Sequence, residues 1–318
     1  MRDEGRCCFV CMDDERPGVP TGCACRDSVG HAHAECLARF AACAAPHRGP
    51  AAWVFCGTCT QQYTGPVLRA LAERWWDAAR GLSEASHERV SSAMVLSHAM
   101  KQNGEFDAAE RIQRETLAEC KAAHGTEHRE TLFVADFLLD TLVDSGKHAP
   151  ALELGARLVA LPRAEAHMEL YTACTYGKAL MYTGALRRAR RVLSSAATRA
   201  KRRLGVAHGI TRRARVCFAR CVADLGALGR AHAELSAVRE IEARVLGAEH
   251  PDTVSTSFEL ARVLALSGRA HEARDMCRAV VASRIARLAP GHPDLLVATT
   301  TLATIEARVS SLEHGREV

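Results

Sequence analysis

The sequence predicts a mainly α protein, with a small metal-organised amino-terminal domain followed by an α-solenoid of about five helical hairpins. Three observations carry that prediction. Eight ligand-capable side chains crowd the first sixty residues: Cys8, Cys11, Cys23, Cys25, His33, Cys36, Cys56 and Cys59, spaced C-x-x-C, C-x-C, H-x-x-C and C-x-x-C. From about residue 85 a glycine and an alanine recur at fixed offsets. Aromatic residues make up only 5% of the chain while Ala and Leu abound, which favours helices over strands.

At 318 residues, 48% hydrophobic and 25% charged, the chain is long enough for two packed domains and is not a disordered tail. No apolar run reaches the ~18 residues of a membrane span, and the charged start Met1-Arg-Asp-Glu does not read as a secretory leader. The expectation is a soluble protein of cytosol or nucleus. Fourteen cysteines in a reducing compartment argue for metal rather than disulfides. Residues 1–80 are charge-neutral, so the net charge of +5 belongs to the remainder.

A structural zinc ion takes four Cys or His ligands in a tetrahedron, so eight ligands make two structural Zn²⁺ sites. A C-x-x-C knuckle aims two sulfurs at one ion, and H-x-x-C at a helix start does the same. Spacing alone does not say which pairs share an ion. An interleaved pairing, with Cys8, Cys11, His33 and Cys36 on one ion and Cys23, Cys25, Cys56 and Cys59 on the other, would tie both ends of the segment together. So short a segment buries too little apolar surface to stand alone. Metal binding offsets that deficit by ~10–16 kcal/mol per structural zinc. Cys8 is preferred to Cys7, and His33 to His31, because only they give two intervening residues to Cys11 and to Cys36. Cys43 is expected to be a small apolar helix residue.

The ligand order C4-H-C3, with one residue between Cys23 and Cys25 and seven between Cys25 and His33, resembles a RING-CH (RING-variant) zinc finger. Leu37 after Cys36, Phe40 where the family has Trp, and Tyr63 four after Cys59 agree. A PHD finger shares the ligand order, but it spaces its third and fourth ligands more widely and sets a Trp two before the seventh ligand; Trp53 lies three before Cys56. The resemblance implies a cross-brace RING-like domain in an E3 ubiquitin ligase of the adaptor type. Such a domain has no catalytic nucleophile of its own, and its zinc is structural. It docks a ubiquitin-conjugating enzyme through, by carry-over, Val10, Leu37, Phe40 and Thr58. The alternative reading, strongest at Leu37, is core packing beneath the metal sites. Thr58 stands where many active RING domains have Pro, and Thr60 where they have a basic residue.

Domain boundaries follow: the zinc finger over 1–65, a helical linker over 66–84, a repeat array over 85–312 and a tail over 313–318. Pro66 opens an amphipathic helix whose Trp75 and Trp76 pack against the first hairpin.

In the array, Gly104, Gly146, Gly184, Gly226 and Gly268 follow one another at intervals of 42, 38, 42 and 42 residues. Alanine stands five residues after each (Ala109, Ala151, Ala189, Ala231, Ala273), and an apolar residue four before (Met100, Leu142, Leu180, Val222, Leu264). Glycine ends one helix, and alanine lets the next approach closely. His128, His167, His208, His250 and His292 mark one turn in successive units rather than a metal site; His250-Pro-Asp reads as a helix start. Leu246-Gly-Ala-Glu-His-Pro-Asp-Thr253 and Leu266-Ser-Gly-Arg-Ala-His-Glu-Ala273 resemble kinesin-light-chain tetratricopeptide repeats. The resemblance implies a groove for a protein or peptide substrate.

Between Glu169 and Asp224 there are thirteen Lys and Arg and no acid. Arg202, Arg203, Arg212, Arg213 and Arg215 in this band (170–223) are candidates for binding an acidic peptide. Stacking aromatics are too sparse there to favour nucleic acid. The functional expectation is a soluble RING-type E3 whose array binds the substrate, or else a non-catalytic zinc-binding scaffold. No phosphate loop, paired carboxylates or Cys-His nucleophile suggests any other enzyme.

Overall fold

Each glycine of the repeat ends its helix in the left-handed region, with φ of 82° at Gly104, 77° at Gly146 and Gly184, 84° at Gly226 and 83° at Gly268. The next N–H then reaches back to the carbonyl of the apolar residue four before the glycine: Glu105 to Met100, Lys147 to Leu142, Ala185 to Leu180, Ala227 to Val222 and Arg269 to Leu264, all at 2.9–3.0 Å. That is a Schellman closure, which satisfies one of the helix's orphan carbonyls and reverses the chain. The five alanines beyond the turn are all completely buried.

The computed structural model describes residues 7–13, 15, 16, 18–23, 25, 30–162, 165–286, 288 and 291–314. The charged amino-terminal hexapeptide and residues 315–318 of the predicted tail lie outside them. The fold is mainly α, as predicted, and falls into two compact units, Met1–Thr141 and Leu142–Val318.

In the first unit, β1 (Val19–Pro20) pairs antiparallel with β2 (His31–Ala32), Val19 opposite Ala32. Then come α1 (Ala34–Arg48), α2 (Ala51–Val54), α3 (Gly65–Ala79), α4 (His87–Gln102) and α5 (Phe106–His124). The next helix, α6 (Arg129–Asp144), starts here and runs past the boundary. Pro66 sits in the first turn of α3, where its missing N–H costs nothing. One core serves the metal-ligand segment, α3 and α4 together, through Leu37, Tyr63, Leu68, Leu71, Trp75 and Leu96. Trp75 is buried, stacks flat on Trp53 at 5.9 Å, and its indole N–H points to Glu88 of α4 at 3.5 Å. Burying each such large side chain contributes on the order of 1.5–3 kcal/mol.

The second unit holds α7 (His148–Ala160), α8 (Ala166–Tyr182), α9 (Leu186–Leu204), α10 (Gly209–Asp224), α11 (Leu228–Val245), α12 (Pro251–Leu266), α13 (Ala270–Ile285) and α14 (Pro293–His314). Each helix packs on the next, and α8, α10, α12 and α14 also touch in succession. The first helices of the hairpins therefore line one side of this unit, and the second helices α9, α11 and α13 the other.

The periodic histidines are helix caps. Nδ1 of His128, His208, His250 and His292 accepts the N–H two residues on, at 3.1–3.3 Å, which satisfies one orphan donor of the helix that follows. His167 is the exception: it lies inside α8. The short interval of 38 residues reflects α7, which has 13 residues where α5 and α9 have 19.

Candidate metal centre and interaction surfaces

Two C-x-x-C segments build the same knuckle twice. In each, the residue after the second cysteine donates to the carbonyl of the first, Met12 to Cys8 at 2.8 Å and Thr60 to Cys56 at 3.0 Å. Closing that tight turn forces both residues to φ of 58°, a region that non-glycine side chains rarely adopt. In the second knuckle the Thr58 N–H also points at Cys56 Sγ, 3.4 Å away.

The knuckles meet their partners across the fold. Strand β2 leads into His33, which precedes α1 and turns its backbone N–H to Cys8 Sγ at 3.3 Å, while Cys36 sits in the first turn of α1. As a result Cys8, Cys11, His33 and Cys36 form one group, and Cys23, Cys25, Cys56 and Cys59 a second. Within each group the ligand atoms lie within 4.8 Å of one another, an arrangement that can hold a metal ion. The pairing that the spacing left open is the interleaved one.

His33 presents Nδ1 to the first group, 3.4 Å from Cys11 Sγ and 3.6 Å from Cys36 Sγ. Its Nε2–H donates to the Arg16 carbonyl at 2.8 Å, which fixes ring and tautomer so that Nδ1 is free to ligate. In the second group Cys25 and Cys56 are 3.7 Å apart, and the Thr21 hydroxyl is 3.2 Å from Cys23 Sγ. Cys7 and His31 stand outside both groups, and Cys43 is exposed rather than packed.

At Cys23 and Cys25 burial disfavours the charged thiolate. Burial raises Cys25, and hydrogen bonds from the neighbouring thiols Cys59 and Cys23 add to it. Cys36 is pushed up to about 11 by burial and its bonds to Cys11 and Cys8. Cys8 goes the other way: burial would raise it, but backbone N–H groups of His33, Cys11 and Val10 outweigh that and bring it to about 7.

The residues expected to dock a partner protein divide in two. Val10, in the first knuckle, and Phe40, on α1, are exposed, as is Thr58. The Phe40 ring covers Gly57, so α1 and the last knuckle share one surface; a Cβ on Gly57 would come within 3.3 Å of it. Leu37 does not belong to that surface. It is buried at 1% exposure in the core beneath the metal groups, one turn from Ala41, and cannot meet a partner.

The basic band also needs correction. Arg212 is buried and faces the buried carboxylate of Glu242 at 3.5 Å, so it is not a partner-binding residue. Arg215 is held by Glu234 at 2.9 Å and Arg203 by Glu169 at 3.3 Å. Arg213 lies over the Tyr171 ring at 4.5 Å. Of the five, only Arg202 combines an exposed side chain with no ion pair among the described residues. Acids from other helices supply the charge that the local sequence lacks.

The tetratricopeptide-repeat family model matches residues 89–130 and 259–294. No curated protein matches the chain. Among solved structures, the nearly identical tetratricopeptide-like repeats of a kinesin light chain from Podosopora anserina are 24% identical, with 62% of this chain and 94% of that one covered and a TM-score of 0.48. A thermophilic tetratricopeptide protein of Thermus thermophilus is 22% identical over 68% of this chain and 99% of its own, with a TM-score of 0.48. A Rap protein complexed with competence and sporulation factor is 11% identical over 77% and 71%, with a TM-score of 0.52. Segments 89–130 and 259–294 are thus tetratricopeptide-like, and the likeness to solved structures is one of fold alone. Among the described residues no helix is long and apolar enough to cross a membrane.

Proposed function

We propose that this chain is a protein-interaction scaffold whose amino-terminal module is a RING-CH-type, zinc-bound platform. The platform recruits a ubiquitin-conjugating enzyme while the repeats hold the protein to be modified. The observation that carries the reading is the interleaved pairing of the eight ligands. Zinc fits the donor set. Zn–S bonds of ~2.3 Å in a tetrahedron imply sulfur–sulfur edges of about 3.8 Å, and sulfur–nitrogen edges slightly shorter. The spacings of 3.7 Å between Cys25 and Cys56, and of 3.4 and 3.6 Å from His33 to its cysteines, match. All four positions on each ion are protein ligands, so the metal organises the fold and takes no part in chemistry.

On this reading Val10, Phe40 and Thr58 form the docking surface, and transfer proceeds by positioning. A thioester carried by the docked enzyme is held near a lysine of the repeat-bound protein, whose local concentration the covalent linkage of the two parts raises. Nothing in this chain need form a bond to ubiquitin. The tetratricopeptide repeats support a second reading, in which the module binds zinc but transfers nothing and the chain only assembles partners. Thr58, Thr60 and Phe40, which depart from the usual active-RING residues, favour it.

The test is autoubiquitination with a panel of conjugating enzymes, comparing wild type with Val10→Ala, Phe40→Ala and Cys56→Ser. Chains that form with wild type and are lost in all three variants support the ligase. No chains with any enzyme, from protein that still binds zinc, would leave the scaffold alone.

A further inference from the structure

The second helices of this array carry a cationic cleft with no acid in it. Helix α9 buries Ala189, Leu193, Ala196 and Ala200, a stripe at helical spacing. The adjoining stripe rises one step over from it and consists of Arg190, Arg191, Ser194, Ser195 and Thr198, which form one wall of a cleft of about 530 Å³. Phe218 of α10 is the floor, and Arg230 of α11 the opposite wall. The cleft exists because α10 contacts both α9 and α11, which leaves its own side chain at the bottom of the gap between them.

The charges there are uncompensated. Arg199, at the rim, is taken by Glu169. Arg190, Arg191 and Arg230 are exposed and make no ion pair among the described residues. Arg230 lies 4.9 Å over the Phe218 ring, a contact that orients its planar guanidinium while leaving its N–H groups available. Guanidinium groups on two walls, with hydroxyl donors beside those of α9, approach from several directions, and a tetrahedral oxyanion has acceptor oxygens to meet them where a planar carboxylate has two.

We infer that this cleft binds a phosphoryl group presented on a segment of a partner protein. The inference rests on the protein-binding reading of the repeats and adds a second contact, on the side away from α8, α10 and α12. A nucleic acid is the poorer fit, since base stacking needs an open aromatic face and Phe218 is buried under Arg230.

The test uses the full chain and fluorescence anisotropy with a labelled peptide library degenerate around a fixed phosphoserine, against the same library carrying serine. Wild type should prefer the phosphorylated library by about tenfold or more, the gain expected of one hydrogen bond to a charged group. Arg190→Gln/Arg191→Gln and, separately, Arg230→Gln should abolish that preference. Arg187→Gln/Arg244→Gln, which removes the same charge as the pair on α9 but outside the cleft, should keep it, with circular dichroism unchanged throughout. Equal loss in the control pair would overturn the site in favour of diffuse attraction. So would the absence of any phosphate preference, or displacement by a single-stranded oligonucleotide that depends on the same arginines. Serine-library binding by a wild type that shows no phosphate preference would preserve the repeats as protein binders while removing this site.

Discussion

Gly177 is the place where helix propensity and packing make opposite demands. It lies in the middle of α8, where replacing glycine by alanine normally stabilises by about 1 kcal/mol. A Cβ at this position would stand 2.4 Å from Leu193 Cδ2 and 2.5 Å from its Cγ, on α9. Ordinary carbon contacts are ~3.5–4.0 Å. Leu193 is completely buried in the core of the second unit, and the offending Cγ is not a free end that can swing away. Overpacking of this kind costs about 1–3 kcal/mol. Packing should win, so Gly177→Ala should lose about 1 kcal/mol net and lower the melting temperature by roughly 2–4 °C. A double-mutant cycle isolates the cause. In a Leu193→Ala background, itself about 2–5 kcal/mol less stable, the clash is gone and Gly177→Ala should stabilise. Thermal and urea melts followed by circular dichroism read both. A higher melting point for the single variant would refute the close approach of α8 and α9.

Three other expectations concern separate parts of the molecule. Leu37→Ala should cost about 2–5 kcal/mol and weaken metal retention, since Leu37 is core, whereas exposed Phe40→Ala should stay within ~0.5 kcal/mol and affect partner docking only. Melts and chelator competition on both variants separate these, and equal destabilisation would contradict the division. Thr60→Gly should stabilise the module by about 0.5–1 kcal/mol, because glycine adopts the φ of 58° without strain; a loss would mean that the threonine side chain matters more than the backbone. For Arg212→Met the effect should depend on pH. Burial holds the Glu242 carboxyl above its ordinary value, with the Thr256 hydroxyl and Arg212 opposing it. The folded state therefore binds more protons than the unfolded one across the window between those values, and stability falls as pH rises through it. Removing Arg212 raises the folded value further. The loss, about 3–5 kcal/mol where the carboxylate must ionise unpaired, should shrink as pH falls through that raised value, and a loss independent of pH would show that Glu242 finds another partner.

What the sequence disclosed was whatever repeats or is set by local chemistry. Glycine at the reversal and alanine at the close contact are demanded by φ and by bulk, so they recur and are visible at Gly184 and Ala189 as plainly as at Gly268 and Ala273. The ligand set was legible for the same reason, since a knuckle is a local object. Which knuckle serves which ion was not, because Cys8 and His33 meet only through the turn of β2 into α1. The histidine caps were legible as a turn marker but not as acceptors, which depend on the Nδ1 geometry at His208 and His250. Leu37 and Arg212 were misplaced because burial is decided by what comes from elsewhere in the chain. A run of bases without acids looks like a bare positive surface until Glu242 and Glu234 arrive from α11. The exposed charge at Arg190, Arg191 and Arg230 emerges only once those pairs are subtracted.

Elemental analysis of the purified full chain, with free and chelator-extracted metal counted separately, addresses the two ligand groups directly. Two tightly held zinc ions per chain are expected, falling in Cys56→Ser and Cys8→Ser alike. Protein that folds and resists heat with no bound zinc, or with its clustered sulfurs joined as disulfides, would contradict the metal-built platform.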